Sequence, residues 1–161
     1  MTQPDVAALL ALLRGLDASV ATAESLTGGL VCAALVAVPG ASDVVRGGII
    51  AYTADAKVDL LGVPADLIVR YGTVDEHVAA SMANAARRRF GSTYGLASTG
   101  VAGPEPSEGK PAGTVHVAIA GPEGTDCYLL SLTGDRDSIR NSTVGELLSR
   151  FVDRVREESR S

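Results

Sequence analysis

The chain is poor in the residues on which several common kinds of site depend. Its 161 residues include no tryptophan, only two histidines and two cysteines, and an aromatic content of 4%. Cys32 and Cys127 lie far apart in apolar surroundings, so they indicate reduced thiols in a cytoplasmic protein rather than a disulfide framework. No C-x-x-C or H-E-x-x-H spacing is present, and the sequence therefore predicts no metal site.

Positive charge and long apolar runs are also missing. The net charge is −5, which provides no basic surface for a nucleic acid. Apolar residues make up 46% of the chain, but their runs are too short and too interrupted to span a membrane. The N-terminus has no basic segment of the kind that opens a signal peptide. We expect one cytoplasmic domain, residues 1–161, with a small-molecule partner rather than a nucleic acid or a membrane.

What the sequence does contain is a regular alternation of apolar patterns. These predict helices at residues 4–16, 30–38, 54–61 and 75–90, a further turn of helix at 64–71, and a last helix that opens at Gly134-Asp135. They predict strands at residues 18–23, 44–53 and 93–99, and a hairpin from residues 113–120 and 127–133. Residues 105–112 read as a polar loop, and residues 157–161 should fray. The fold class expected is α/β, a single-domain three-layer α/β/α sandwich with a mixed sheet.

The segment ATAESLTGGL, residues 21–30, reads as a strand, a tight turn and the start of a helix. Ser25 would then lie at the carboxyl end of a strand, where open α/β sheets bind ligands. The N–H groups of a helix start suit an anion or a developing oxyanion. The alternative is that Ser25 or Thr27 only caps the helix and that Gly28 and Gly29 only turn the chain.

Ser25 has no obvious histidine base. His77 lies in the first turn of a predicted helix and His116 in the predicted hairpin, and both positions are more typical of structural or solvated histidines. No G-x-S-x-G or S-x-x-K pattern surrounds Ser25. A catalytic triad with a histidine base is therefore not indicated.

A lysine is the other candidate base, because a buried lysine can lose its proton whereas an arginine cannot. The chain has two lysines, Lys57 and Lys110, against twelve arginines. Lys57 lies at a predicted helix start, where burial and the helix dipole would lower its pKa. The alternative is a surface lysine that pairs with Asp55 or Asp59.

Two further segments could bind an anion. The glycines of residues 99–104, TGVAGP, offer free N–H groups at a strand end, although a plain turn has the same pattern. Arg136 and Arg140 lie four residues apart on the first turns of the last helix, where cations oppose the helix dipole. They suit a phosphate group, or they pair with Asp135 and Asp137.

Four segments in order are more specific than any one of them: TAESLTGGL, RGGIIAYTADAK, STGVAGP followed by KPAGTVHVA, and TGDRDSIR. Over residues 4–155 they resemble the C-terminal domain of the competence-damage-inducible protein CinA. In stand-alone form that family acts as a nicotinamide mononucleotide deamidase in pyridine nucleotide salvage. The resemblance implies hydrolysis of nicotinamide mononucleotide to nicotinate mononucleotide and ammonia, without a metal or organic cofactor. It does not extend to the nucleotide-pyrophosphatase-like domain of full-length CinA proteins.

The resemblance also assigns roles to residues. It implies Ser25 as the nucleophile, Lys57 as its base and Tyr52 as a group that relays or orients the proton. The N–H groups of residues 27–29 are the expected oxyanion donors. The expected substrate-binding residues are Thr27, Gly28, Gly29, Thr99, Gly100, Ala102, Gly103, Arg136 and Arg140.

Two departures from the family pattern bear on activity. The family usually has cysteine at the position of Leu26 and often serine at that of Asp75, and an aspartate near the site would repel a phosphate. They leave open a module that binds pyridine nucleotides with little turnover, or an amidase for another phosphorylated amide. Members of the family commonly self-associate, so a homo-oligomer is also compatible with the sequence.

Overall fold

A computed structural model describes residues 4–161, which fold around one five-stranded sheet with the order β2-β1-β3-β4-β5. The strands are β1 Val20–Glu24, β2 Val45–Ile50, β3 Tyr94–Gly100, β4 Thr114–Gly121 and β5 Gly124–Ser131. β1, β2 and β3 run parallel, whereas β4 and β5 form an antiparallel hairpin. The predicted mixed sheet and the predicted hairpin are both confirmed.

Residues 4–161 contain six α-helices, which lie on the two sides of the sheet. They are α1 Val6–Gly15, α2 Leu30–Val36, α3 Ala54–Leu61, α4 Ala65–Tyr71, α5 Glu76–Phe90 and α6 Arg136–Glu158, and a short 3₁₀ helix spans Ala41–Asp43. α1, α2 and α6 pack on one face, and α5 packs on the other with α3 beside it. The three-layer α/β/α prediction is confirmed. Among the described residues no helix is long and apolar enough to cross a membrane.

The two faces of the sheet differ in the size of their side chains. The face toward α1, α2 and α6 is built from leucine, valine, isoleucine and phenylalanine. The face toward α5 is mostly alanine, and a Cβ at Gly95 would overlap the carbonyl oxygen of Ala83. Small residues let α5 lie close to the sheet. Asp75 caps α5. The segment before it, residues 73–74, lies near the carboxyl end of β3, where the Thr99 hydroxyl donates to the Thr73 carbonyl.

Several predicted boundaries are shifted by a few residues in the structure, and two of these differences have a visible physical cause. The strand predicted at residues 44–53 ends at Ile50, after which the chain turns so that the Thr53 side chain caps α3. Of the tail predicted to fray, residues 157–161, Glu157 and Glu158 belong to α6, because the Glu158 carboxylate accepts hydrogen bonds from Arg154 and from the Tyr94 hydroxyl. The first of these differences matters for function, since the turn after β2 brings the main-chain carbonyls of residues 51 and 52 to the end of β1.

Candidate active site

A cavity of about 430 Å³ opens at the carboxyl ends of the parallel strands. This is the edge at which open α/β sheets bind ligands. Its walls come from the turn after β1, the turn after β2, α3, the segment before α5, the loop after β3 and the start of α6. The lining residues are Ser25, Leu26, Tyr52, Lys57, Thr73, Val74, Thr99, Gly100, Val101, Ala102, Gly103, Pro104, Glu105, Ser107 and Arg136.

Ser25 and Lys57 meet at the inner end of this cavity. Lys57 Nζ lies 2.9 Å from Ser25 Oγ. The same nitrogen donates to the carbonyl oxygens of Ala51 at 3.0 Å and Tyr52 at 3.4 Å. Ser25 is placed by the end of β1, where its N–H donates to the Ser98 carbonyl of the neighbouring strand. The sequence prediction that pairs these two side chains agrees with their contact.

Burial makes Lys57 an unusual lysine. Its side chain is 1% exposed, so the alternative of a surface lysine paired with Asp55 or Asp59 is wrong. Burial lowers the pKa of Lys57 to about 8, although the negative charge of Glu108 raises it in part. The main physical cause is desolvation of the ammonium, one of the two causes that the sequence analysis gave for a lowered pKa. At neutral pH about a tenth of the molecules carry the neutral amine, far more than for an exposed lysine.

The geometry around Lys57 Nζ is also compatible with a neutral amine that accepts the serine proton. A neutral amine has two N–H groups and one lone pair. The carbonyls of Ala51 and Tyr52 can accept both N–H groups, which leaves the lone pair toward Ser25 Oγ. This is the arrangement that a serine nucleophile with a lysine base requires.

The turn after Ser25 corrects the predicted oxyanion site. α2 begins at Leu30 with Gly29 as its N-cap residue. The Glu24 carboxylate accepts from the N–H groups of Val31 and Cys32, so neither the Ser25 nor the Thr27 side chain caps this helix. The Gly28 N–H donates to the Ser25 carbonyl and is occupied. The sequence analysis missed Glu24, whose side chain reaches across the turn.

Thr27, Gly28 and Gly29 therefore do not line the cavity, and the Thr27 hydroxyl bonds instead to Ser98 Oγ at 2.7 Å. Leu26 does line it. Within residues 4–161 the Leu26 N–H has no hydrogen-bond acceptor, and it directly follows the nucleophile. An N–H in that position is the usual oxyanion donor when a serine sits on a strand-to-helix turn.

The two arginines at the start of α6 have separate positions. Arg140 donates from Nε to the Leu26 carbonyl at 2.8 Å, lies 3.9 Å from Asp137, and is absent from the cavity wall. It supports the nucleophile turn from behind, so the predicted contact with substrate is not available to it in this structure. Arg136 lines the cavity and is not paired with an aspartate; Asp135 instead caps α6.

Arg136 and Tyr52 form the rim of the cavity. Arg136 donates to the Gly103 carbonyl at 2.7 Å and to the Tyr52 hydroxyl at 2.9 Å. The Tyr52 side chain is 58% exposed, and only its main-chain carbonyl contacts Lys57 and Ser25. The expected proton relay through the Tyr52 hydroxyl is therefore not what the contacts show.

The loop after β3 forms one wall, as its predicted role in substrate binding requires. Thr99, Gly100, Ala102 and Gly103 all line the cavity. The Thr99 hydroxyl donates to the Thr73 carbonyl at 2.7 Å, which ties this wall to the segment before α5. Their binding role stays a prediction.

The remaining polar candidates lie outside the cavity. Asp75 accepts from the N–H and from Nδ1 of His77, so the departure from the family pattern at this position caps a helix. His116 is on β4, and burial lowers its pKa. Across the described part of the chain no cluster of histidine, cysteine and carboxylate side chains could hold a metal ion.

Residues 105–110, which we call the strap, are the part of the site that the sequence analysis missed. Glu105 and Ser107 line the cavity, and Glu108 and Lys110 bond to the segment before α5. In the sequence these residues look like a polar loop. The only local signal was the concentration of ionisable side chains between two glycine-rich turns.

Comparison with solved structures agrees with this architecture. The competence/damage inducible protein CihA from Agrobacterium tumefaciens superposes with a TM-score of 0.89 and 34% identity, over 95% of this chain and 98% of that one. A CinA superfamily protein from Enterobacter cloacae gives a TM-score of 0.91 at 29% identity, over 93% of this chain and 89% of that one.

Curated relatives are longer. A CinA-like protein of Frankia casuarinae is 49% identical over 136 residues, which are 84% of this chain and 31% of that protein. This chain spans about a third of the length of the curated relatives it matches. The family model described as the CinA C-terminal domain matches residues 3–155. The chain therefore belongs to the CinA C-terminal domain family.

Proposed function

We propose that the protein hydrolyses the carboxamide of nicotinamide mononucleotide, releasing nicotinate mononucleotide and ammonia. The family is associated with this amidohydrolase activity. The observation that carries the proposal is the buried contact of 2.9 Å between Lys57 Nζ and Ser25 Oγ at the inner end of an open cavity.

The first step is acylation of Ser25. Neutral Lys57 takes the hydroxyl proton while Ser25 Oγ forms a bond to the carboxamide carbon, and the carbonyl oxygen becomes an oxyanion. The Leu26 N–H is the donor best placed to stabilise that charge. When the intermediate collapses, the C–N bond breaks and the Lys57 ammonium returns its proton to the nitrogen, which leaves as ammonia.

The second step is hydrolysis of the ester on Ser25. Lys57 is neutral again after ammonia has left, so it can take a proton from an attacking water. The water oxygen bonds to the acyl carbon, and the Ser25 oxygen leaves with the proton that Lys57 returns. The products are the free acid and the original enzyme, and neither step needs a metal or an organic cofactor.

In the proposed complex the ribose phosphate of the substrate binds in the outer part of the cavity. Arg136 uses two of its N–H groups on Gly103 and Tyr52, and a guanidinium has five, so others are free for an anion. The N–H groups of Ala102 and Gly103 have no acceptor within the described residues, and both residues line the cavity. Backbone N–H groups beside an arginine are a suitable phosphate site.

The direct test is ammonia release from nicotinamide mononucleotide by the purified protein, compared with Ser25→Ala and Lys57→Ala. Turnover in the parent and its loss in both variants would support the proposed reaction and both residues together. Calorimetric binding of the nucleotide to Ser25→Ala shows whether the cavity survives the substitution. A substrate panel with and without the phosphate separates this reaction from an amidase for another amide.

No turnover in a parent that binds the nucleotide would contradict the proposal and favour a pyridine-nucleotide-binding module. Leu26, which lines the cavity beside Ser25, would then be the first residue to replace with cysteine. Asp75 no longer motivates that alternative, because its carboxylate is engaged with His77 at the start of α5.

A further inference from the structure

The strap contains a backbone conformation that its residue type does not favour. Ser107 and Lys110 pair across a two-residue turn, with N···O distances of 3.0 and 2.9 Å. The two central residues, Glu108 and Gly109, have φ values of 53° and 71°. A turn of this kind favours asparagine, aspartate or glycine, and a glutamate at positive φ is uncommon. The preference of the turn therefore does not explain a glutamate at position 108.

The hydrogen bonds of the Glu108 carboxylate give a reason for a glutamate at this position. It accepts from the Thr73 N–H at 2.9 and 3.1 Å, from the Thr73 hydroxyl at 2.6 Å and from the Val74 N–H at 3.1 Å. One carboxylate thus satisfies three donors of the segment before α5. Hydrogen bonds to a charged acceptor are among the stronger ones in proteins.

Two other residues favour the contact between the strap and the segment before α5. A Cβ at Gly72 would lie 2.5 Å from Glu108 Oε2, so the absence of a side chain there makes room for the carboxylate. Lys110 donates from Nζ to the Val74 carbonyl and forms a second connection between the strap and this segment. Strap and segment therefore form one connected wall.

This wall reaches the reacting groups through Thr73. The Thr73 carbonyl accepts from the Thr99 hydroxyl, and Thr73, Val74 and Thr99 line the cavity that contains Ser25 and Lys57. We propose that Glu108 is a positioning residue whose carboxylate holds the 73–74 segment, and through it Thr99, in place against the cavity. The proposal rests on the proposed function for its link to catalysis, but its structural part can be measured without turnover.

The negative charge of Glu108 allows a second test, because it affects the pKa of Lys57. Burial alone would raise the pKa of Glu108, but hydrogen bonds from Thr73 and Val74 and the charge of Lys110 outweigh burial and lower it, so the carboxylate stays ionised. That charge raises the pKa of Lys57 against the larger effect of burial. The other ionisable side chains on the elements that form this part of the fold are buried Glu24 on β1, Tyr52 and Arg136 at the rim, Glu105 and Lys110 on the strap, exposed Asp55 and Asp59 on α3, and Asp75 and Glu76 at the start of α5.

The test uses two substitutions at position 108 and one matched control. Glu108→Gln keeps the size of the side chain and removes its charge. Glu108→Asn suits the turn better than glutamate but is too short to reach Thr73, so a loss of function in it would not come from a misfolded turn. Glu123→Gln removes an equivalent carboxylate from the β4–β5 turn, at the other end of the sheet.

The first measurement is hydrogen exchange at the amides of residues 73 and 74, together with steady-state kinetics. We expect exchange to quicken at least about tenfold in Glu108→Asn, because both amides lose their acceptor. KM should rise about tenfold while kcat changes less, since binding depends on this wall. The control should match the parent in both. Unchanged exchange, or faster exchange with unchanged KM and kcat, would overturn the proposal.

The second measurement follows Lys57 directly. Because the chain has two lysines, protein labelled with ¹³C in lysine gives two Cε resonances, which Lys110→Arg assigns. In Glu108→Gln the Lys57 titration should move to lower pH, and in Glu123→Gln it should not move. If the Lys57 titration does not move in Glu108→Gln, the Glu108 carboxylate is not held close to the cavity as the proposal requires, and the proposal is overturned. These readouts need no substrate, so a parent without deamidase activity would refute the proposed function while leaving them interpretable.

Discussion

The inner end and the rim of the cavity each contain one cation, but the two cations have opposite surroundings. Lys57, at the inner end, is 1% exposed and contacts a hydroxyl and two carbonyl oxygens, with no carboxylate in contact. Arg136, at the rim, is exposed and donates to the Tyr52 hydroxyl and the Gly103 carbonyl. The same sheet edge thus holds a buried amine and an exposed guanidinium.

The difference separates chemistry from binding. Burial without a contacting counter-ion disfavours the charged amine, which is why the pKa of Lys57 falls to about 8 and a proton can be transferred. A guanidinium keeps its charge in either setting and presents several N–H groups, so it suits a permanent anion such as a phosphate. Replacing each cation should therefore affect a different kinetic constant.

The largest effect should come from Lys57→Arg, which preserves a positive charge at the inner end but cannot act as a base. We expect kcat for ammonia release to fall at least about a thousandfold, because Ser25 loses the group that takes its proton. In Lys57→Met, whose side chain is close in shape to lysine but uncharged, kcat should fall by a similar factor. Thermal unfolding of both variants checks that they fold. Substantial activity in the arginine variant would mean that charge rather than proton transfer is what position 57 supplies.

The pH profile is the next test of the inner end. Only neutral Lys57 can accept the Ser25 proton, so kcat/KM should rise with pH through the pKa of about 8. Below that value the neutral fraction drops tenfold per pH unit, and activity at pH 6 should be roughly fiftyfold below that at pH 8. A profile that is flat between these values would contradict the assignment of Lys57 as the base.

How much of this site the sequence predicts depends on how far apart in the sequence the contacting residues lie. Ser25 directly follows one strand, and Lys57 lies in the first turn of the helix that follows the next strand. Parallel strands bring their carboxyl ends to one edge of the sheet, so the pair could be predicted. Glu24 could not, because its role depends on a side chain folding back over the next turn to reach Val31 and Cys32. A local pattern predicts where a helix starts but not which carboxylate caps it.

Contacts between distant segments were the least predictable. Arg140 and Leu26 are 114 residues apart, and Glu108 and Thr73 are 35 apart. A spacing of four residues places Arg136 and Arg140 near one face of α6, yet the structure sends one guanidinium to the cavity and the other behind the nucleophile turn. The layered fold, which depends on apolar periodicity, was predicted more completely.

Substitutions of Arg136 and Arg140 can distinguish the role of the rim in binding from the role of the turn after Ser25 in catalysis. In Arg136→Gln we expect KM for the phosphorylated substrate to rise about tenfold with little change in kcat, and no rise for the riboside that lacks the phosphate. In Arg140→Gln we expect kcat to fall about tenfold with KM nearly unchanged, because the Leu26 carbonyl loses its donor and the turn moves. Reversed effects in the two variants would exchange these roles.

The smallest effect should come from Tyr52→Phe, and it decides between two accounts of the same residue. If the hydroxyl relayed the proton of Ser25, its removal would lower kcat by about a hundredfold or more. The contacts assign that hydroxyl to Arg136 and give the main-chain carbonyl, which phenylalanine keeps, to Lys57. We therefore expect kcat within about twofold of the parent and KM raised about threefold, because Arg136 loses one of its two partners at the rim. A large loss of kcat with unchanged KM would place Tyr52 among the catalytic residues. Tyr52 would then belong with Ser25 and Lys57 at the inner end rather than with Arg136 at the rim.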